Sequence, residues 1–401
     1  MHRILAGLGC LLPLALPPSA PCASLTVDAG PHDRVLTIVS LPLPKDAPVV
    51  TWMSGPDREL IQAQQDAEGT LTFVLPKLNR GTMRTYTILD QPASTPAGPA
   101  VEAAYEDSQV RFGPVSPAPL TFQAEPSALP RPGIDPIYRR GAYLHPIRTP
   151  AGRVVSDDYP HKHLHHHGLW FAWTKTEFQG RHPDFWNMGQ KLGTVAFDAV
   201  VDDWSGSVHA GFRSRQQYLD LTAKEPTAAL NETWDVRYYA GSLLQDRHRV
   251  FDIVVRQSCA TSDPLILPNY HYGGLGFRGR GEWDGPPNCD FLTSEGETNR
   301  VKAHATRGRW CYIGGKVDGH QAGVVILCHP GNFRAPQPMR VHPSEPFFCF
   351  APQQLGEMRI EPRQPYVSRY RCVAVDGPAS REHFESLYLD YAQPPKVTYT
   401  P

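Results

Sequence analysis

Several features are scarce in this chain of 401 residues. Net charge is one: 39 Lys and Arg stand against 40 Asp and Glu. That balance argues against nonspecific attraction to nucleic acid or to an anionic membrane surface. No later segment reaches the ~18 consecutive apolar residues of a membrane-spanning helix, which excludes an integral membrane segment in the mature chain. Helical patterning is rare, and 41 prolines, about twice the ordinary share, argue against a helical bundle. Those prolines are spread along the chain, so they do not form one disordered tract. Cysteine is sparse, with eight residues and no C-x-x-C pair, which is not a disulfide scaffold. The G-x-S-x-G, H-E-x-x-H, P-loop and dinucleotide signatures are all missing. Against these absences stand an ordinary 41% hydrophobic content and 17 histidines.

The first residues carry a processing signal. Met1-His2-Arg3 is basic, Ile4 to Leu16 is apolar, and Ser19, Ala20, Cys22, Ala23 and Ser24 are small. This is the secretory pattern, here spanning residues 1–23, and it predicts a secreted or periplasmic protein. Cys10 and Cys22 fall inside it. Of the remaining cysteines, several lie in apolar strand-like runs and read as buried free thiols, although export permits one disulfide.

Residues 24–90 read as a small β-module. Val35 to Val39, Leu71 to Leu75 and Thr85 to Leu89 are β-branched or alternating, with Pro, Gly, Asp and Asn between them. Residues 91–124 are rich in proline and read as a linker. From Arg139 onward strand signals recur at short intervals, as in the near-alternating run Arg249 to Arg256. Only Ser380 to Ala392 has clear helical spacing. Ser380 is its N-cap, Phe384, Leu387 and Tyr388 form its apolar face, and Pro394 stops it. The expected fold is all-β: a large antiparallel β-sandwich over residues 125–395, preceded by the small β-module, with one C-terminal helix.

The segment Asp157 to Trp170 holds five histidines within His161 to His167. If it is extended, His161, His163, His165 and His167 share one face and His166 faces the other way, unless the chain turns there. Imidazole ligates zinc, copper and iron and titrates near neutral pH, so metal binding and acid/base catalysis are both open. A polar loop is the competing reading. Trp170 and Trp186 are candidate platforms for sugar rings or members of a core. Asp184, beside Phe185 and Trp186, is a candidate general acid or a turn cap. His271 and Arg278 belong to a second polar-aromatic cluster, whose Gly273, Gly274 and Gly276 let the backbone bend or a ligand approach. Glu295 offers a carboxylate at a turn, and His329 stands at a strand end.

Taken in order, these segments resemble a known family. They are Tyr143-Leu144-His145-Pro146-Ile147, His163 to Phe171, Asp184-Phe185-Trp186, Gly274 to Gly276, Ser294-Glu295-Gly296 and Gly323 to Asn332. Over about residues 125–395 the chain is similar to the PmoA family, or methane oxygenase PmoA-like proteins. The family pattern has histidine at the positions of His163, His165 and His166, and a basic residue where His167 stands. It therefore singles out the first three, with His163 and His165 as the metal-binding pair. Asp commonly stands where this chain has Cys328. The family label implies copper or iron oxygenase chemistry in a membrane enzyme, whereas this chain lacks the long apolar helices such a subunit needs.

By fold and composition the chain resembles carbohydrate-active sandwiches, including the galactose-mutarotase-like group. Three functions follow. One is a secreted carbohydrate-active enzyme of hydrolase, lyase or epimerase type. Its catalytic groups would be His163, His165, His166, Asp184 and Glu295, and its substrate contacts Trp170, Trp186, His271, Arg278 and His329. The second is a noncatalytic glycan- or metal-binding protein, and the third is an oxygenase. The cofactor expected, if any, is a divalent metal, zinc or copper. The expected partner is a glycan or another small molecule, and not nucleic acid.

Overall fold

The computed structural model describes residues 23–89, 100–113, 116–126 and 128–401. The expected signal peptide, apart from its last residue, and the proline-rich run 91–99 lie outside the described residues. The fold is mostly β, and every pair of neighbouring strands is antiparallel.

Two large sheets form the sandwich. The eight-stranded sheet runs, edge to edge, Gly193–Trp204, His209–Asp220, Thr227–Tyr239, His248–Cys259, Tyr366–Asp376, His320–Cys328, Trp310–Val317 and Cys289–Thr293. The nine-stranded sheet begins with Arg307–Gly308, Gln337–Val341, Phe347–Phe350 and Gly273–Arg278. It continues through Leu169–Trp173 and Tyr143–Ile147 to Leu120–Gln123, Gln109–Phe112 and Ala103–Glu106. Period-two alternation places Phe122 and Phe171 of one sheet against Phe212 and Trp234 of the other. The Phe122 and Phe212 rings are 4.4 Å apart between centroids.

The linker expected over residues 91–124 is corrected here, because residues 103–123 hold the last three strands of the nine-stranded sheet. Their alternation is only four residues long, yet it buries Ala103, Val110, Phe112, Leu120 and Phe122 in the sandwich core.

Each sheet also uses its outer face. Behind the eight-stranded sheet, Tyr239, Val250, Tyr312 and Val373 pack against Leu36, Ile38 and Val74 of the N-terminal sheet and against Phe384 and Tyr388. The last two lie on the helix Arg381–Ala392, capped as expected by Ser380, whose Oγ accepts from His383 N. A buried ion pair, Arg34 to Asp390 at 2.9 Å, ties the helix to the N-terminal sheet. That sheet has seven strands around its own core of Leu25, Val27, Phe73 and Tyr86, and its last strand is Lys396–Thr400 from the far end of the chain. A second, one-turn helix, Arg300–Ala303, is capped by Asn299. All six cysteines of the described residues are free thiols, five of them buried.

The outer face of the nine-stranded sheet carries the histidine-rich loop. Leu169–Trp173 is buried on both sides: Leu169, Phe171 and Trp173 enter the sandwich core, while Trp170 and Ala172 join Phe347, Cys349 and Trp186 in a separate outer layer.

Candidate metal centre

The His161 to His167 run is not a strand, so the expectation that alternate histidines share a face does not hold. Asp158 and His167 form an isolated antiparallel bridge, and the residues between them turn twice. His163 N donates to Pro160 O at 3.2 Å and His166 N donates to His163 O at 2.9 Å. Gly168 closes the loop with φ near 50°, and a Cβ there would lie 2.2 Å from Leu144 O. Only glycine meets both demands. The turns leave His161 exposed and bring His163, His165 and His166 together.

Each of these three rings offers a nitrogen within 4.8 Å of the others. His166 is buried, stacked on Phe347 at 4.9 Å and tilted on Trp170 at 5.0 Å, and its Nδ1 has no hydrogen-bond partner. Burial, then the neighbouring cationic and imidazole groups, hold it well below the usual histidine range. The same causes, burial first and His163 next, push His165 down to about 3. Both rings are therefore neutral at physiological pH and keep a lone pair for a ligand.

His163, one-third exposed, is braced from behind. Its Nε2 meets Glu345 Oε1 at 2.9 Å. Arg278 Nη1 donates to Glu345 Oε2 at 2.7 Å, and Arg278 Nη2 donates to Asp284 Oδ1 at 2.8 Å. Burial raises the Glu345 carboxyl, but His163 and Arg278 together overcome it and bring it to about 2. In the neutral ring, a carboxylate at Nε2 fixes the proton there and leaves Nδ1 of His163 with its lone pair. That is the orientation a carboxylate imposes on a metal-ligating imidazole.

His342, Glu345 and His163 also lie within 4.8 Å of one another. However, His342 Nδ1 accepts the backbone N–H of Glu345 at 3.0 Å and that of Ser344 at 3.3 Å. In a neutral ring its proton is then on Nε2, so His342 shapes the Glu345 loop and is a poor ligand. His167 is fully buried and bonds Asp158 at 2.8 Å, which itself accepts from Tyr143 Oη.

A register row underlies the centre. Arg340 pairs with Cys349, Cys349 with Gly276, and Gly276 with Trp170, so all four residues point to the outer face. Gly276 is the close-approach position anticipated for this glycine cluster: a Cβ there would lie 2.8 Å from Trp186 and 3.2 Å from Trp170. The missing side chain lets the two indoles, 4.9 Å apart, settle under His166.

The expected site residues separate into groups. His163, His165 and His166 converge. Trp170 and Trp186 are adjacent but 0% and 2% exposed, so they form the floor of the centre and offer no open platform. Arg278, also fully buried, holds Glu345 and Asp284 and does not face a ligand. His271 stands half-buried at the rim, tilted against Tyr270 at 4.4 Å and Tyr272 at 4.6 Å. Asp184 is the turn cap: its oxygens accept from Trp186 N, Asn187 N, Asn187 Nδ2 and Thr174 Oγ1. Glu295 is exposed, beside Arg309, which pairs with Glu385 of the C-terminal helix. His329 packs on Tyr391 of the same helix. Asp184 and Glu295 therefore have different surroundings, the first in the turn before Trp186 and the second beside the C-terminal helix. Glu345 was the residue missed. Its only sequence signal is an acid between two prolines, three residues after His342, at the entry to an apolar strand.

Comparisons with known proteins add the following. The model for a family of unknown function, DUF6807, matches residues 119–389, close to the span of the expected resemblance, and its description does not carry the PmoA label. No curated protein matches. Among solved structures the chain is similar to a protein in glycosyl hydrolase family 38 from Enterococcus faecalis, with 9% identity and a TM-score of 0.36. That alignment covers 95% of this chain and 47% of the other, so the chain spans about half the length of that protein. No described helix is long and apolar enough to cross a membrane.

Proposed function

We propose, for a chain that belongs to the family of unknown function DUF6807, an exported carbohydrate-active protein in which His163, His165 and His166 hold a divalent metal, zinc or copper. One observation carries the metal: three imidazole nitrogens within 4.8 Å, on rings kept neutral by burial or braced by a carboxylate. Three nitrogen donors at the surface of a sheet fit the open type of site, which keeps a position for water or substrate. The orphaned Nδ1 of buried His166 fits the same reading, because an unpaired polar atom there is otherwise a cost. When bound, such a metal polarises a substrate oxygen or activates a water.

The protein's own groups supply position. Glu345, clamped by Arg278, orients His163. The half-exposed rings of Tyr270, His271 and Tyr272 present faces on which a sugar can stack, the role earlier assigned to Trp170 and Trp186. The basic and apolar pattern of residues 1–23 supports export to a secreted or periplasmic location. The chemistry proposed is of hydrolase, lyase or epimerase type.

The test is elemental analysis of tag-free protein, with zinc titration by calorimetry of the wild type and a His165→Ala/His166→Ala variant. One metal per chain is expected for the wild type and a loss of at least 100-fold in affinity for the variant. Equal metal content in the two proteins would remove the metal from the proposal. A panel of neutral and acidic glycans then tests the substrate class.

A further inference from the structure

We infer that the substrate of this centre carries a carboxylate, as a uronic acid does, and that Arg340 receives it; the inference rests on the carbohydrate reading above. Arg340 lies on the outer face of the nine-stranded sheet, in the register row that ends at Trp170 under the histidines. At ~4.8 Å between strands, about 14 Å separates the two ends of that row. A sugar ring or two spans such a distance.

Arg340 is half-buried, yet among the described residues it forms no ion pair with a carboxylate. Its Nη2 donates to Tyr272 Oη at 2.9 Å and its Nη1 to Val341 O at 3.2 Å. Its Nε is buried without a partner. Two neighbouring arginines are neutralised, Arg278 by Glu345 and Asp284 and Arg280 by Glu282, while buried Arg300 has its guanidinium taken up by the carbonyls of Glu345, Gly285 and Cys289. A guanidinium withdrawn from water without an anion is costly, and a carboxylate is the ligand its fork matches best.

The surroundings agree. Lys175 Nζ sits 4.3 Å over the Tyr270 ring and likewise has no carboxylate partner among the described residues. Between Lys175 and Arg340 runs the ladder Tyr270, His271, Tyr272, with the Arg340 guanidinium 4.9 Å from the Tyr272 ring. Burial first, and then the charge of Arg340, pushes both His271 and His304 below the usual histidine range. Two carboxylates near the centre are already engaged, Glu345 by His163 and Arg278, and Asp284 by Arg278 and Lys162. What remains is a rim of two cations, Lys175 and Arg340, that are unpaired with carboxylates among the described residues, with aromatic rings between them.

Calorimetry of galacturonate and glucuronate against galactose and glucose tests this, using the full chain both zinc-loaded and stripped with EDTA. In the wild type each uronate should bind at least tenfold more tightly than its neutral counterpart in both metal states. Arg340→Gln should bring that ratio close to one while zinc uptake stays unchanged. Lys175→Ala, at an exposed position, should lower the ratio several-fold. A ratio unchanged in Arg340→Gln, no preference in the wild type, or no uronate binding up to ~10 mM each overturns the inference. A lack of zinc uptake with the Arg340-dependent preference intact would instead sink the metal reading and leave this one standing.

Discussion

His209 gives the sharpest physical test of this structure, because its ring is buried and Nδ1, the nitrogen that would take a second proton, already accepts a hydrogen bond. It is 0% exposed, where the N-terminal sheet meets the eight-stranded sheet. Its Nδ1 accepts from the Trp204 indole at 3.0 Å and faces Gln64 Nε2 at 3.5 Å. Gln64 cannot turn its oxygen to the ring, because Oε1 already accepts from Val208 N and His209 N. The other ring nitrogen, Nε2, is buried without a partner. Burial, with a smaller contribution from Arg237, pushes the ring down to about 3. A depressed histidine stabilises the fold above its unfolded value and loses that stabilisation as pH falls, because the unfolded chain takes up the proton first.

Between the unfolded value of ~6.5 and pH 5.0 this amounts to about 2 kcal/mol, at about 1.4 kcal/mol per unit. His209→Asn keeps an acceptor for the indole and does not titrate. Urea unfolding of both proteins at pH 7.5 and 5.0 should show the stability gap narrowing by about 2 kcal/mol on acidification. A gap that stays constant within ~0.5 kcal/mol would refute the reasoning, since it would mean that His209 protonates equally in both states.

Three further outcomes are expected. Glu345→Gln should weaken zinc binding by about 10- to 100-fold while the far-ultraviolet circular dichroism stays unchanged, because the brace on His163 loses its charge. Gly276→Ala forces a methyl against both indoles of the floor; it should cost about 1–3 kcal/mol and shift tryptophan fluorescence, and unaltered emission with unaltered stability would contradict the packing. Asp184→Ala removes four hydrogen bonds from one turn and should destabilise by about 3 kcal/mol; a stable variant with lost activity would return Asp184 to the catalytic list.

Most of the fold could be read from the chain, because strands such as Arg249 to Arg256 carry their burial pattern in every second residue. The strands within 103–123 were hidden by their brevity and by the prolines around them. At the site, composition pointed to the five-histidine run and the family resemblance to His163, His165 and His166, whose ring nitrogens the fold gathers within 4.8 Å, but the extended geometry considered for the run does not form. The Asp158–His167 bridge and the positive φ of Gly168 fold the run on itself, and a tertiary demand of that kind leaves no periodic trace. Glu345 lies 182 residues from the ring it braces, so no local pattern connects them. Glu295 and His329 were placed by the habit of sites gathering at strand ends, but a large sandwich has several such ends. Theirs is beside the C-terminal helix.

The strand Lys396–Thr400 lies against Ser24–Asp28, with Ser24 opposite Thr400. This ties the first sheet to the clock of synthesis. At roughly 5–20 residues per second, the partner of Ser24–Asp28 leaves the ribosome on the order of tens of seconds after it. During that interval the earliest-made sheet presents an unpaired edge, the kind of surface that recruits foreign strands. Arrival of the last strand covers that edge and moves the end of the ladder to Lys396–Thr400, whose side chains are alternately exposed, so a shortened chain would instead present Ser24–Asp28 as its edge to chaperones and proteases.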